Sequence, residues 1–386
     1  MDVPVTISGG GIIGSYISLR LQRSNINSIV IEKSEDTVSS SEGIRTLTLN
    51  PHSMAMLNNI GVSLESAAIK EIIVLDGEGT GKIQFSEKEI DSKNLSYVVM
   101  FNDLRNELLA LSKDKTIFNN EIQSIQNLNS EDDPEVILKD DTVIKTKIVA
   151  GCDGRNSKVA SIASLKSSYN EYMQTALTFT VEAKQSKTKN AYQVFSEKGI
   201  FALMPMPKKD LDQNRWTIVW SVSDSELKNQ EVSSYVEDNL CYFESKLGIN
   251  MTVSSEILSF RLSNHHFDEY IKGPVVLLGD AAHSIHPLAG QGINLGFADA
   301  DVFCEEIIQA HEKGFVINEK SILKRYEIRR KGMNLLMLKS MDFFVNFFNT
   351  DNLYLRLIRN WGLNTVNKTK FIKAFFIKHA SGLNKV

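Results

Sequence analysis

An α/β fold is predicted for this chain by three short apolar runs, each ending in a turn that carries glycine. Val3 to Ser8 reads as a strand, Gly9-Gly10-Gly11-Ile12-Ile13-Gly14 as the turn after it, and the next stretch as a helix to about Arg23. Ile148 to Gly151 is a second run, followed by Cys152-Asp153-Gly154. Val275 to Leu278 is a third, followed by Gly279-Asp280 and a loop bent at Pro287, Gly290 and Gly292. Apolar runs of this length bounded by turn residues suit interior parallel strands.

The first unit continues through a strand at Ser28 to Ile31 with Glu32 at its end, which completes a βαβ pattern. Gly9 permits the tight turn, Gly11 the approach of a pyrophosphate to the helix amides, and Gly14 the packing of helix on strand. Ile13 belongs to the same cofactor turn. Glu32 lies about twenty residues on, where an adenosine ribose needs an acceptor, and an acid there favours the free hydroxyl of FAD or NAD. This predicts a Rossmann-like dinucleotide lobe.

The third unit reads as a flavin site. Gly290 and Gly292 let amides approach a planar ligand that any Cβ would push away. With Gln291, Ile293 and Asn294 they open a helix, whose partial positive charge suits the anionic edge of a reduced isoalloxazine. Asp280, beside Gly279 at the end of its strand, can accept from a ribityl hydroxyl. Asp153 and Gly154 are counted with the cofactor residues, although an ordinary turn aspartate followed by a positive-φ glycine fits them too.

Between these units, from about Leu165 to Ser263, the pattern changes to alternating strands such as Ala176 to Val181, Gly199 to Pro205 and Arg215 to Val222. Period-two alternation predicts an antiparallel sheet with one covered face. Gly296 to Lys313 and Glu319 to Phe348 read as long helices. The resulting division is a discontinuous nucleotide-binding domain over 1–164 and 264–330, a sheet domain over 165–263, and C-terminal helices over 331–386.

With 386 residues, 42% hydrophobic and 23% charged, the chain can bury more than one core. Its net charge of −4 and the lack of basic blocks with interleaved aromatics argue against nucleic acid. Cys152, Cys241 and Cys304 show no metal spacing and fit a reducing cytoplasm. His283 and His286 are three apart but lack further ligands at suitable spacing, so no metal is expected. No signal peptide precedes the first strand, and no apolar run approaches the roughly twenty residues needed to span a bilayer.

Taken together, the three motifs resemble those of the single-component FAD-dependent aromatic hydroxylases of the p-hydroxybenzoate hydroxylase type. Within that group the ubiquinone-biosynthesis monooxygenases have a flavin loop similar to the stretch from His286 to Gly296. The likeness covers nearly the whole chain, including Gly43 to Leu49 and Leu357 to Leu363. It implies a Rossmann-like FAD-binding domain with an inserted antiparallel β-sheet substrate domain and a helical C-terminus. It places an FAD-contacting arginine at Arg45, on the pyrophosphate. Arg105 is either a second cofactor contact or a partner of Glu107.

The resemblance also implies a reaction. NAD(P)H, as co-substrate, reduces FAD; the reduced flavin and O2 give a flavin hydroperoxide, which hydroxylates an electron-rich ring. No protein nucleophile is needed, and Pro287 shapes the loop beside the ring. One departure stands out: the Asp-Gly motif usually ends in arginine, and here that place holds Ala160. A charge contact near the nicotinamide face is lost, with Arg155 or Lys158 as substitutes.

The implied substrate is a polyprenyl phenol of ubiquinone biosynthesis. A small soluble aromatic stays open, as does a role as an FAD-binding structural subunit of a biosynthetic complex or homo-oligomer. Halogenase chemistry is disfavoured, since Trp216 and Trp220 do not match its Trp-x-Trp signature. The Met- and Phe-rich segment from Met333 to Phe348 fits a prenyl channel or plain core packing. Beyond Asp351 seven basic residues, among them Arg356, Arg359 and Lys368, occur with no acid, and Phe371, Ile372, Phe375 and Phe376 recur at helical spacing. Such a helix either lies peripherally on the inner membrane face or docks on the enzyme's own core.

Overall fold

The computed structural model describes residues 1–35, 44–89, 92–130, 132–183, 189–207, 214–228, 230–285 and 292–348, with side chains to 343. Pro287, Gly290 and Gln291, together with the basic tail, lie outside the described residues. Three sheets form among those described.

Asp2–Ser8 pairs in parallel with Ser28–Ile31 on one side and with Val143–Gly151 on the other. Val275–Leu277 continues the sheet in parallel beside Val143–Gly151. The three apolar runs of the sequence are therefore neighbours. Ser8 pairs with Gly151 and Gly151 with Leu277, so their three glycine turns leave the sheet at one edge. Open α/β sheets bind ligands outside the carboxyl ends of their strands, and this edge is such a place. Helix Ile12–Gln22 packs on helices Phe101–Ser112 and Gly292–Glu312, and the last of these packs on Lys320–Phe348. No described helix is long and apolar enough to cross a membrane.

The largest sheet is antiparallel about its centre, where Ser167–Ala183 lies between Arg215–Ser223 and Leu258–Phe267. Gly199–Pro205 and Asn190–Ser196 extend it. It reaches beyond the 165–263 stretch in which the sequence located it. Glu71–Asp76 joins in parallel beside Asn190–Ser196, and Lys82–Ser86 follows at the edge. Ile72-Ile73-Val74-Leu75 is an unbroken apolar run, and such a run does not say which sheet will receive it. At the opposite edge His283–Ser284 pairs with Leu258–Phe267, tying the sheet to the segment that follows Asp280.

One face of this sheet is covered by helix Val232–Leu247, which period-two alternation did not reveal. Tyr235, Val236, Leu240 and Phe243 are its buried side. Phe243 stacks on Phe201 at 4.1 Å between ring centroids and meets the edge of Trp220 at 5.0 Å. Gly248, at φ 66°, ends the helix in the left-handed conformation that glycine adopts without strain.

Candidate active site

The glycines of the turn after the first strand differ in what surrounds them. Gly9 has φ +100°, and a Cβ there would lie 2.5 Å from the Cys152 carbonyl oxygen. At Gly14 a Cβ would meet the Gly9 carbonyl oxygen at 2.0 Å. Both glycines are demanded by the protein itself. Gly11 is not: a Cβ built on it meets nothing within 4 Å, and its φ of −71° suits any residue. It faces open space at the start of a helix that has no side-chain cap, where amide donors are free for an anion. Glu32, 9% exposed, accepts from the Gly10 amide at 2.6 Å and the Ser34 amide at 2.9 Å. Each oxygen keeps lone pairs for a hydroxyl.

The Asp280 turn meets this one. Ideal Cβ atoms on Gly279 and Gly296 would both touch Ile13, at 3.6 and 3.1 Å. Ile13 thus packs where the first and third motifs join. Asp280 and Arg45 are both reached by solvent, yet protein surrounds them enough to shift their protonation. Burial pushes the Asp280 carboxyl up, opposed by His283, Arg155 and Arg45; burial pushes the Arg45 guanidinium down, opposed by Asp280. Both side chains are open to water and partly desolvated at this end of the sheet. Arg45 also lies over the Phe101 ring, 4.4 Å from its centroid. Arg105 is half-buried on the helix packed against the glycine helix and makes no ion pair among the described residues.

Three expected residues have duties within the protein itself. The Asp153 carboxylate accepts from the Ser157 hydroxyl at 2.6 Å and the amides of Lys158 and Val159 at 2.8 and 3.1 Å, capping helix Lys158–Ile162. Gly154 follows at φ +82°, the turn reading of this pair. The Asn294 side chain accepts from the Asn50 amide and the Ser53 hydroxyl, both at 2.9 Å, and donates to the Thr48 carbonyl at 2.8 Å. Its amide group locks the start of helix Gly292–Glu312 to the strand that follows Arg45. Gly292 has open space where a Cβ would stand, and Ile293 packs against the core.

Ala160 is buried and carries no charge. Lys158 pairs with Glu121 at 3.1 Å, on the surface. Arg155 instead reaches the Ser263 hydroxyl at 2.7 Å and its carbonyl at 3.2 Å, where its charge acts on Asp280 and His265. Of the two substitutes, Arg155 is the one whose charge reaches Asp280.

A buried network under the Asp280 turn escaped the sequence reading. Asp299, fully buried, accepts from the Gly279 amide at 3.1 Å, His283 Nε2 at 2.6 Å, Arg330 Nε at 2.8 Å and Asn334 Nδ2 at 2.9 Å. Burial raises its proton affinity, but His283 and Arg330 overcome that and hold the carboxyl well below the usual range. His283, weighed earlier as a metal ligand, is a partner in this network.

Two further buried histidines make stability depend on pH. His265 and His266 are 3% and 7% exposed, and burial, aided by Arg155 and His283 for the first and by His283 and Lys331 for the second, holds each at about 4. Unfolded, each titrates near 6.5. Between those values the unfolded chain binds protons that the folded chain refuses, so stability is complete above about pH 6.5 and falls as pH drops toward 4. Each histidine can remove about 3 kcal/mol. Urea midpoints should fall steadily from pH 6.5 to 4.5, and the double replacement His265→Asn with His266→Asn should flatten that slope.

The chain is similar to known proteins over nearly its whole length. At 29% identity over 392 residues, covering 98% of both chains, the sequence is similar to the 3-demethoxyubiquinol 3-hydroxylase of Escherichia coli (strain K12). It is 28% identical to the ubiquinone hydroxylase UbiL of Rhodospirillum rubrum, over 99% of this chain and 90% of that one. The p-nitrophenol 4-monooxygenase PnpA of Pseudomonas putida DLL-E4 shares the fold with a TM-score of 0.79 at 17% identity, each chain covered in full. The FAD binding domain family matches residues 2–338, which take in the glycine turn, the Asp280 turn and the sheet between them, and the chain belongs to that family.

Proposed function

We propose that this chain hydroxylates the aromatic ring of a polyprenyl phenol in ubiquinone biosynthesis, with FAD as cofactor and NAD(P)H and O2 as co-substrates. The observation that carries this reading is the open space at Gly11, in a turn that Ile13 joins to the Asp280 turn, in a chain whose near full-length relatives bear the names of ubiquinone hydroxylases. Open space at Gly11, uncapped amides behind it and a solvent-reached Arg45 opposite Asp280 fit a dinucleotide with a polyhydroxy linker.

In this reading the amides from Gly11 to Ile13 receive the pyrophosphate, Gly9 and Gly14 hold the turn, and Glu32 accepts from the ribose. Arg45 and Arg105 neutralise phosphate charge, and Asp280 orients the ribityl hydroxyls from a turn set by Gly279. Amides at Gly292 to Asn294 would serve the isoalloxazine; Pro287, Gly290 and Gln291, assigned to the same loop by sequence, lie outside the described residues. Asp153 and Gly154 act through the helix they cap. When bound, FAD supplies hydride uptake from NAD(P)H and activation of O2 for transfer of one oxygen to the ring. The chain's own part is to position, to neutralise and to keep water out. Arg155, held on Ser263, offers the charge that Ala160 cannot, at the face where the nicotinamide would approach. The basic tail brings the enzyme to the bilayer that carries such a phenol.

The purified, FAD-loaded protein should oxidise NADPH in air several times faster when a prenylated phenol is added, with product heavier by one oxygen by mass spectrometry. Stimulation by small soluble phenols alone would transfer the reading to a soluble substrate. No stimulation and no product by any phenol would end it.

A further inference from the structure

We propose that the outward face of helix Lys320–Phe348 is a docking surface for the anionic headgroup layer of a lipid bilayer. Ile322, Leu323, Tyr326, Arg330, Asn334 and Leu338 form the inward side of this helix and are buried. Ile328, then Leu335 and Leu336 seven and eight residues on, turn outward and are 70%, 40% and 55% exposed. That spacing sets the three along one stripe. The core already takes the opposite side of the helix, so folding does not explain a row of exposed apolar groups here.

Charge selects the occupant. From Lys320 to Phe343 the sequence holds seven bases against two acids, Glu327 and Asp342; Arg325, Arg329 and Arg330 pair with Glu305, Glu306 and Asp299 of the neighbouring helix, which leaves Lys320, Lys324, Lys331 and Lys339 as the bases of the outward side. Neither acid is left to face outward: Glu327 bonds Lys324 and the Tyr270 amide, and Asp342 bonds Tyr172 and Asn264. Lys320, Lys324 and Lys339 flank the apolar row and are exposed. Seven more bases and no acid follow Asp351 in a chain whose net charge is −4, so positive charge is concentrated at this end. A second copy packed by a two-fold axis would set like charges against each other. Lipid phosphates complement the lysines, and the apolar side chains enter the headgroup boundary. For its purpose this inference rests on the lipid-substrate reading above; its evidence is separate.

The test is flotation of the full-length holoprotein with vesicles. Wild type should float with phosphatidylethanolamine vesicles containing phosphatidylglycerol, at least about tenfold more than with phosphatidylcholine alone, and high salt should release much of it. The variant Leu335→Ser with Leu336→Ser should bind those vesicles at least about tenfold more weakly, with flavin absorbance and melting temperature unchanged. Undiminished flotation of that variant overturns the proposal and leaves binding to the tail. Failure of wild type to float, together with a dimer that the variant dissociates, overturns it in favour of a second copy. Wild type that floats, with a variant that does not, sustains the docking surface even if no prenylated phenol is hydroxylated, a result that would refute only the substrate reading.

Discussion

Gly11→Leu should give a folded protein that carries no flavin. The glycines of this turn differ in what they touch. A Cβ at Gly14 would lie 2.0 Å from the Gly9 carbonyl oxygen and at Gly9 2.5 Å from that of Cys152, so replacing either distorts the backbone. Gly11 meets no protein atom, and its backbone is one any residue adopts. Leucine there costs the free protein about 1 kcal/mol at most, the difference between glycine and an apolar residue at a helix N-cap. The bound dinucleotide loses the space its phosphates need. Affinity for FAD should fall at least a hundredfold, about 2.7 kcal/mol. Two readings separate this from misfolding: the urea midpoint without FAD stays near that of wild type, and adding FAD raises the melting temperature of wild type only. Gly14→Leu supplies the contrast, losing flavin and fold together. Gly11→Leu protein that stays yellow would place the pyrophosphate elsewhere.

What could be read from residues alone was the part of the site made by backbone. Strands at Val3, Ile148 and Val275 announce themselves as apolar runs, and Gly9 and Gly14 after the first report close approaches that no other residue allows. Adjacency of those three strands, and the meeting of Ile13 with Gly279 and Gly296, follow from the parallel sheet that such runs build. Side chains that act across long distances were less visible. Asp299 and Arg330 are 31 residues apart on two helices, and nothing in either helical pattern pairs them. Asn294 was expected at the flavin through its amide, yet its side chain is held by Thr48, Asn50 and Ser53 some 240 residues away. Glu71–Asp76 enters the large sheet through pairing that composition does not encode. Local chemistry was legible in the sequence; long-range partnership was not.

Asp299→Ala should be among the most destabilising single replacements in the chain, by about 3–5 kcal/mol, because it strands charge in the core. The carboxylate is fully buried and receives four donors, among them Arg330, which is itself only 8% exposed. Alanine leaves Arg330 and His283 facing each other without an anion. Restoring apolar packing tests the cause: if the cost is an unpaired buried cation, Asp299→Leu combined with Arg330→Met should recover much of the lost stability. Stability losses that simply add would point to packing instead. Because the carboxyl titrates well below its unfolded value near 3.9, its contribution is complete above about pH 4 and drains only as pH falls further toward the folded value. The alanine variant should therefore lose the part of the wild-type acid transition that lies below pH 4 and keep the histidine part above it. Asp299 also fixes the Gly279 amide, so the turn that presents Asp280 is held by the same carboxylate. Weaker FAD binding should accompany the instability. The double variant, stable but lacking that acceptor, should keep the flavin defect, which separates the two duties of one side chain.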